Sequence, residues 1–84
     1  MKIDDLTLIE GIGPKIKTVL NQAGIRTFAD LSQKPYQELV DILGKANIRI
    51  SDPETWPEQA GLLEVGKLDE LKALQEKLRG GRRV

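Results

Sequence analysis

The chain has 84 residues and a mass of 9.4 kDa, enough for one small domain or for one piece of a larger protein. Lys plus Arg and Asp plus Glu number 13 each, so the molecule as a whole attracts neither nucleic acid nor an anionic membrane strongly. Cysteine and histidine are absent, which excludes disulfide scaffolds, thiolate zinc sites and the commonest general base. The apolar runs are too short to cross a membrane. We therefore expect a cytoplasmic, monomeric protein that is not an enzyme and uses no cofactor or metal.

Apolar residues recur at helical spacing along nearly the whole chain, which predicts an all-α fold. A short helix is predicted over residues 5–10 and a longer one over 14–23. Pro14 suits the first turn of the longer helix, because a helix does not use the first backbone N–H groups. Gly24 suits the position after its last turn, where a left-handed residue commonly ends a helix.

The chain continues with further helices. Thr27 is predicted to cap a short helix, and the apolar spacing then predicts a longer one over 35–46. A helix over 57–65 should end at Gly66. Trp56, just before that helix, is predicted to fill the core rather than to stack on a base.

The C-terminal segment, residues 51–79, contains a leucine stripe that predicts one more helix, capped by Asp69. Such a short helix is marginal alone, so the segment should pack on the preceding helices with Trp56 between them. Residues 80–84 are predicted to be a flexible basic tail, and residues 48–50 an extended connector. The stripe consists of Leu68, Leu71, Leu74 and Leu78.

Residues 3–25 and 26–48 are similar when shifted by 23 positions. Each would form a short helix, a turn and a longer helix, although helical periodicity alone produces part of the match. The matched pairs are Leu8 with Leu31, Ile16 with Leu39, Val19 with Ile42, Leu20 with Leu43, Ala23 with Ala46 and Ile25 with Ile48. The side chains expected to share one core are Ile12, Ile16, Val19, Leu20, Leu39, Ile42 and Leu43.

The first turn contains two glycines, Gly11 and Gly13, on either side of Ile12. Glycine adopts positive φ without strain, which we expect at Gly13, and it lets an outside group approach the backbone. With Ile12 pointing inward, the amides of the turn and of the next helix would face an anion. A dinucleotide fingerprint and a P-loop are both excluded by spacing, whereas a purely structural turn remains an alternative. The predicted phosphate-binding residues are Gly11, Ile12, Gly13, Lys15, Lys17 and Arg26.

Residues 4–31 resemble a helix-hairpin-helix module of the DNA-binding superfamily through the stretch from Leu8 to Ile16. The resemblance implies tandem helix-hairpin-helix units, the second degenerate, in a compact four- or five-helix SAM-like domain. It also implies sequence-independent phosphate contacts, which on matching positions fall to Gly11, Gly13 and Lys15. Residues 51–84 more narrowly resemble a bacterial version that stands alone or is appended to ribosomal proteins.

Two functional hypotheses follow. The first is a non-catalytic module that binds the phosphate backbone of DNA or RNA weakly, within a larger parent protein or assembly. The second is a protein-interaction or ribosome-associated adaptor that keeps the fold without DNA affinity. Family members that bind DNA well tend to be basic, whereas this chain is neutral and places Glu10 at the turn.

Overall fold

The computed structural model describes residues 3–48, 52–79 and 82–83, which form five α-helices, two 3-10 helices and one pair of very short strands. In chain order the elements are a first 3-10 helix (Leu6–Leu8), α1 (Pro14–Gln22), α2 (Phe28–Ser32), α3 (Tyr36–Lys45), a second 3-10 helix (Pro53–Thr55), α4 (Trp56–Glu64), α5 (Leu68–Gln75), β1 (Leu78–Arg79) and β2 (Arg82–Arg83). The two strands pair in antiparallel fashion and are two residues long. The predicted all-α class is confirmed.

Helix α1 begins and ends as its sequence predicts. Pro14 is its first residue, and Gly24, with φ of 90°, follows its last turn. The N–H of Ile25 donates to the carbonyl of Leu20 at 2.9 Å. This bond across a left-handed residue satisfies a carbonyl that the helix itself leaves unpaired.

Helix α3 ends in the same way, 23 positions later. Asn47 takes the left-handed conformation with φ of 61°, and the N–H of Ile48 donates to the carbonyl of Leu43 at 2.9 Å. Asparagine tolerates this conformation better than other residues with a Cβ. The predicted repeat therefore holds at the ends of the two longer helices.

Before the turn, the repeat runs in a different register from the predicted one. Leu8 is 55% exposed and Ile9 is 1% exposed, so Ile9, not Leu8, occupies the place that Leu31 fills in the second unit. The starts of α1 and α3 lie 22 positions apart, at Pro14 and Tyr36, whereas their ends lie 23 apart. One extra residue in α3 explains the change of register.

The core is aliphatic and lies between both units and α4. Trp56 is fully buried in it, as predicted. Of the predicted core residues, Val19 is only half-buried and Ile42 packs on the cluster from its edge. The buried cluster consists of Leu6, Ile9, Ile12, Ile16, Leu20, Ile25, Leu31, Leu39, Leu43, Trp56 and Ala60.

The C-terminal segment differs from its prediction in three respects. Helix α5 starts after Lys67, which occupies the cap position expected for Asp69. It ends at Gln75, so Leu78 is buried from strand β1 instead of from the helix. Leu68, the first residue of α5, is 60% exposed. Only part of the predicted stripe is therefore buried.

Some predictions fall wholly or partly outside the described residues. Of the connector predicted over 48–50, only Ile48 is described, and it packs on the core. Of the tail predicted over 80–84, only residues 82 and 83 are described, and they form β2 beside the second 3-10 helix. The flexibility of the tail stays a prediction.

Candidate nucleic-acid interface

The turn between the first 3-10 helix and α1 is closed from within. The N–H of Ile12 donates to the carbonyl of Ile9 at 3.1 Å, and the Ile12 side chain is buried. Gly11 has φ of 101°, a conformation that a residue with a Cβ rarely adopts. Ile12 points inward, as the sequence predicts, and its amide donates within the turn.

Gly13 is not in the positive-φ conformation expected for it. Its backbone is extended, with φ of −95° and ψ of −176°. A Cβ built on Gly13 would meet no atom within 4 Å. The glycine that the fold requires is therefore Gly11, whereas Gly13 leaves open space in front of the next helix.

The start of α1 combines three features that suit an anion. Gly13 is the cap residue and supplies no side-chain hydrogen bond. Pro14 and Lys15 follow, and the first turn contains no acidic residue. Because the first amides of a helix lack intrahelical partners, they add partial positive charge to that of the exposed Lys15. The structure thus places Gly13 and Lys15 at one exposed helix start.

Lys17 lies one turn along α1 but is engaged with an acidic residue. Its Nζ is 3.4 Å from Oδ1 of Asp5, and both side chains are partly exposed. The hydroxyl and the amide of Thr7 donate to Asp5 and lower the pKa of its carboxyl, with a smaller contribution from Lys17. Asp5 therefore stays ionised and offsets part of the Lys17 charge.

Arg26 lies in the segment between α1 and α2 and is exposed. Its backbone is fixed on both sides: its N–H donates to Oδ2 of Asp30 at 3.2 Å, and its carbonyl accepts from the N–H of Asp4 at 2.9 Å. The predicted cation is accessible, and two carboxylate residues lie beside its backbone.

The turn of the second unit lacks the anion-suited arrangement. Helix α3 begins after Pro35 and has Glu38 in its first turn. The Glu38 carboxylate is 3.0 Å from Nζ of Lys34, so the local cation is already neutralised. A negative charge at this helix start would repel a phosphate.

The first turn is held by Gln59, a residue that is not among those predicted from the sequence. Gln59 of α4 is fully buried, and its Oε1 accepts from the N–H of Glu10 at 2.7 Å. Its Nε2 donates to the carbonyl of Glu10 at 3.2 Å. One signal was present in the sequence: Gln59 shares a helical stripe with Trp56 and Ala60 and is the one polar residue of that trio.

A second glutamine extends this contact. Nε2 of Gln75, in α5, donates to the carbonyl of Leu8 at 2.8 Å and to Oε1 of Gln59 at 3.0 Å. Gln75 is half-buried. Two helices distant in the chain thus contact the backbone immediately before Gly11.

Within the described ranges, no group of three or more acidic, His or Cys side chains is placed to hold a metal ion. None of the helices described has the length and apolar character needed to cross a membrane.

A 3-10 helix and α1, joined by a tight turn at Gly11, form a helix-hairpin-helix arrangement. A family model described as the RS2/RL21/YNQ2 HHH domain matches residues 6–64, and the chain belongs to this family. The match includes α1, α2, α3 and Gln59 and ends before Gln75. No curated protein and no solved structure matches the chain.

Proposed function

We propose that the domain is a non-catalytic module that binds backbone phosphates of nucleic acid at the start of α1, weakly and without sequence preference. The observation that carries the proposal is the contrast between the helix starts. Helix α1 presents Gly13 and Lys15 with no acidic residue in its first turn, whereas α3 presents Glu38. The family, which is found in ribosomal proteins and in proteins associated with nucleic acid, supports the same assignment.

The expected affinity is low. Non-specific binding to nucleic acid typically has a dissociation constant of roughly 10⁻⁴ to 10⁻⁶ M. With two or three phosphate contacts, we expect binding within this range or weaker. The zero net charge and the pairing of Lys17 with Asp5 lower the affinity further, because both reduce the attraction of the domain for phosphate. Because phosphate contacts position a protein without reading bases, such a module would orient a larger assembly on nucleic acid.

The second candidate is an adaptor that contacts protein, on the ribosome or elsewhere. Leu8 favours it, because this leucine is 55% exposed beside the turn. Glu10 lies in the turn itself and Asp5 pairs with Lys17, and both negative charges would weaken a purely electrostatic contact with phosphate. This candidate requires no affinity for duplex nucleic acid.

A titration separates the two candidates. Mixed-sequence DNA and RNA duplexes of equal length are added at low salt while the amide shifts of Gly11, Gly13 and Lys15 are recorded. The proposal expects shifts there and a log–log salt slope of about −2 to −3. Lys15→Glu should weaken binding to every sequence and reduce the slope by about 1. Lys45→Glu, the same charge change on the exposed end of α3, is the control. Absence of binding at low salt would leave the adaptor as the function, whereas equal losses in both variants would show that the duplex does not bind at the start of α1.

Gly13→Val tests the approach of the phosphate itself. Since Gly13 has an extended backbone and open space at its Cβ, valine should leave the fold intact. The added side chain would stand between a phosphate and the first amides of α1. We expect weaker duplex binding at unchanged thermal stability, and unchanged binding would place the contact elsewhere.

A further inference from the structure

We propose that Gln59 and Gln75 are positioning residues for the hairpin: their side-chain amides fix the backbone of Glu10 and Leu8, so that the start of α1 is presented in its binding geometry. This inference rests on the proposed function and adds to it a role for α4 and α5. No part of either helix belongs to the hairpin itself.

The Gln59 side chain uses its full hydrogen-bonding capacity. Its oxygen accepts from the Glu10 N–H and from Gln75 Nε2, at 2.7 and 3.0 Å. Its nitrogen donates to the Glu10 carbonyl and to Oγ1 of Thr55, each at 3.2 Å. A primary amide has two donors and one oxygen with two lone pairs, so all four positions are occupied. Such a group holds one orientation.

Burial shows that packing alone does not explain Gln59. It is fully buried on the stripe of α4 that also contains Trp56 and Ala60, where an aliphatic residue would fill the space without a desolvation penalty. A buried polar side chain that is completely satisfied rigidifies its surroundings. The backbone that it rigidifies is Glu10, one residue before Gly11.

Hydrogen bonds fix the backbone at several successive points from Leu8 to Ile12. Gln75 holds the carbonyl of Leu8, Gln59 holds both polar groups of Glu10, and the Ile12 amide closes on Ile9. With the turn held at these points, the position of Gly13 and of the first amides of α1 is determined. The helices that follow the two units thereby determine the geometry of the candidate site.

The test uses the full chain and three variants of one kind. Gln59→Met and Gln75→Met keep the side-chain length and remove the hydrogen bonds, and Gln22→Met changes an exposed glutamine at the end of α1 as the control. Amide hydrogen exchange is measured at Glu10 and Ile12, with Leu43 in α3 reporting global opening. Affinity for a mixed-sequence duplex is measured at the same salt concentration.

Loss of these hydrogen bonds should raise exchange at Glu10 and Ile12 about tenfold to a hundredfold relative to Leu43 in Gln59→Met. The increase should be smaller in Gln75→Met, because water can reach that site, and absent in Gln22→Met. Duplex affinity should fall about threefold to tenfold, because a smaller fraction of the molecules has the binding geometry.

Equal increases in exchange at Glu10 and Leu43 in both variants would overturn the inference, since they would indicate a purely structural role. A selective increase in exchange with unchanged duplex affinity would also overturn it. If the wild-type protein binds no duplex, the proposed function fails, and the exchange ratio still decides whether the two glutamines hold the turn.

Discussion

Helices α1 and α3 end alike and begin differently. Both are closed by a left-handed residue, Gly24 or Asn47, and by a hydrogen bond from the next residue back to a buried leucine. At their starts, α1 presents Lys15 and no acidic residue, whereas Glu38 lies in the first turn of α3. The leucines that accept these bonds, Leu20 and Leu43, lie in the shared core, whereas Lys15 and Glu38 are exposed, so the starts can differ in chemistry without disturbing the core.

The largest expected effect concerns the buried leucines that α1 and α3 contribute to the shared core. Leu20→Ala and Leu43→Ala should each lower the free energy of unfolding by about 2–5 kcal/mol, because both leucines are almost completely buried in one cluster. Urea denaturation measures both, with Val65→Ala on the surface as the control. A small loss for either leucine would show that the two units do not contribute equally to the core.

A smaller effect distinguishes the two glycines of the first turn. Gly11→Ala should cost about 1–2 kcal/mol, because its φ of 101° strains any residue with a Cβ. Gly13→Ala should change stability little, since its backbone is extended and its Cβ position is open. Thermal melts of both variants, each beside the wild type, provide the measurement. The reverse order of stability would contradict the geometry of the turn.

Substitutions at the left-handed residues that end α1 and α3 should change the stability of the fold according to how well the new residue accepts that conformation. Gly24→Ala places a Cβ at φ of 90° and should cost about 1 kcal/mol. Asn47→Gly should be nearly neutral, because both residues accept the left-handed conformation. Chemical denaturation measures the free energy of unfolding of both variants. A larger loss for Asn47→Gly than for Gly24→Ala would contradict the equivalence of the two helix ends.

The smallest expected effect is a loss of stability at low pH. Each unit contains one carboxyl group with a lowered pKa, Asp5 in the first and Asp30 in the second. Bonds from the Arg26 amide and from Thr27 lower the pKa of Asp30 below 3.8, while bonds from Thr7 lower that of Asp5. Because the folded pKa is the lower one, each carboxylate stabilises the fold above about pH 3.8, and the contribution disappears as the pH falls through the folded pKa.

Unfolding measured across this pH range tests the assignment. Asp5→Asn and Asp30→Asn should each remove part of the acid dependence that the wild-type protein shows. Each variant is measured beside the wild-type protein at the same pH values. If the pH dependence of unfolding is the same in Asp5→Asn, Asp30→Asn and the wild type, other carboxylates are responsible for the acid sensitivity.

The features predicted correctly from the sequence are local ones. Thr27 caps α2 through reciprocal bonds with Asp30, Pro14 opens α1, and Gly24 ends it. Each depends on residues within about one helical turn, so the sequence nearby is sufficient to predict them. The inward position of Ile12 likewise follows from the apolar spacing around it.

The features that the sequence did not predict depend on distant partners. Gln59 and Glu10 are 49 positions apart, and no local pattern joins them. Leu68 satisfies the leucine spacing yet stays exposed, because spacing shows that a face is apolar and not that another element covers it. One local feature was also predicted wrongly: positive φ was expected at Gly13 and occurs at Gly11, because glycine permits both conformations.

The complete burial of Trp56 also makes the molecule its own optical probe. Trp56 is the single tryptophan of the chain and lies in the aliphatic cluster that joins both units to α4. An indole shielded from water emits at shorter wavelength than one in solvent, so its emission should shift to the red when the cluster opens. Because no second tryptophan contributes to the signal, fluorescence follows the shared core alone, without any label.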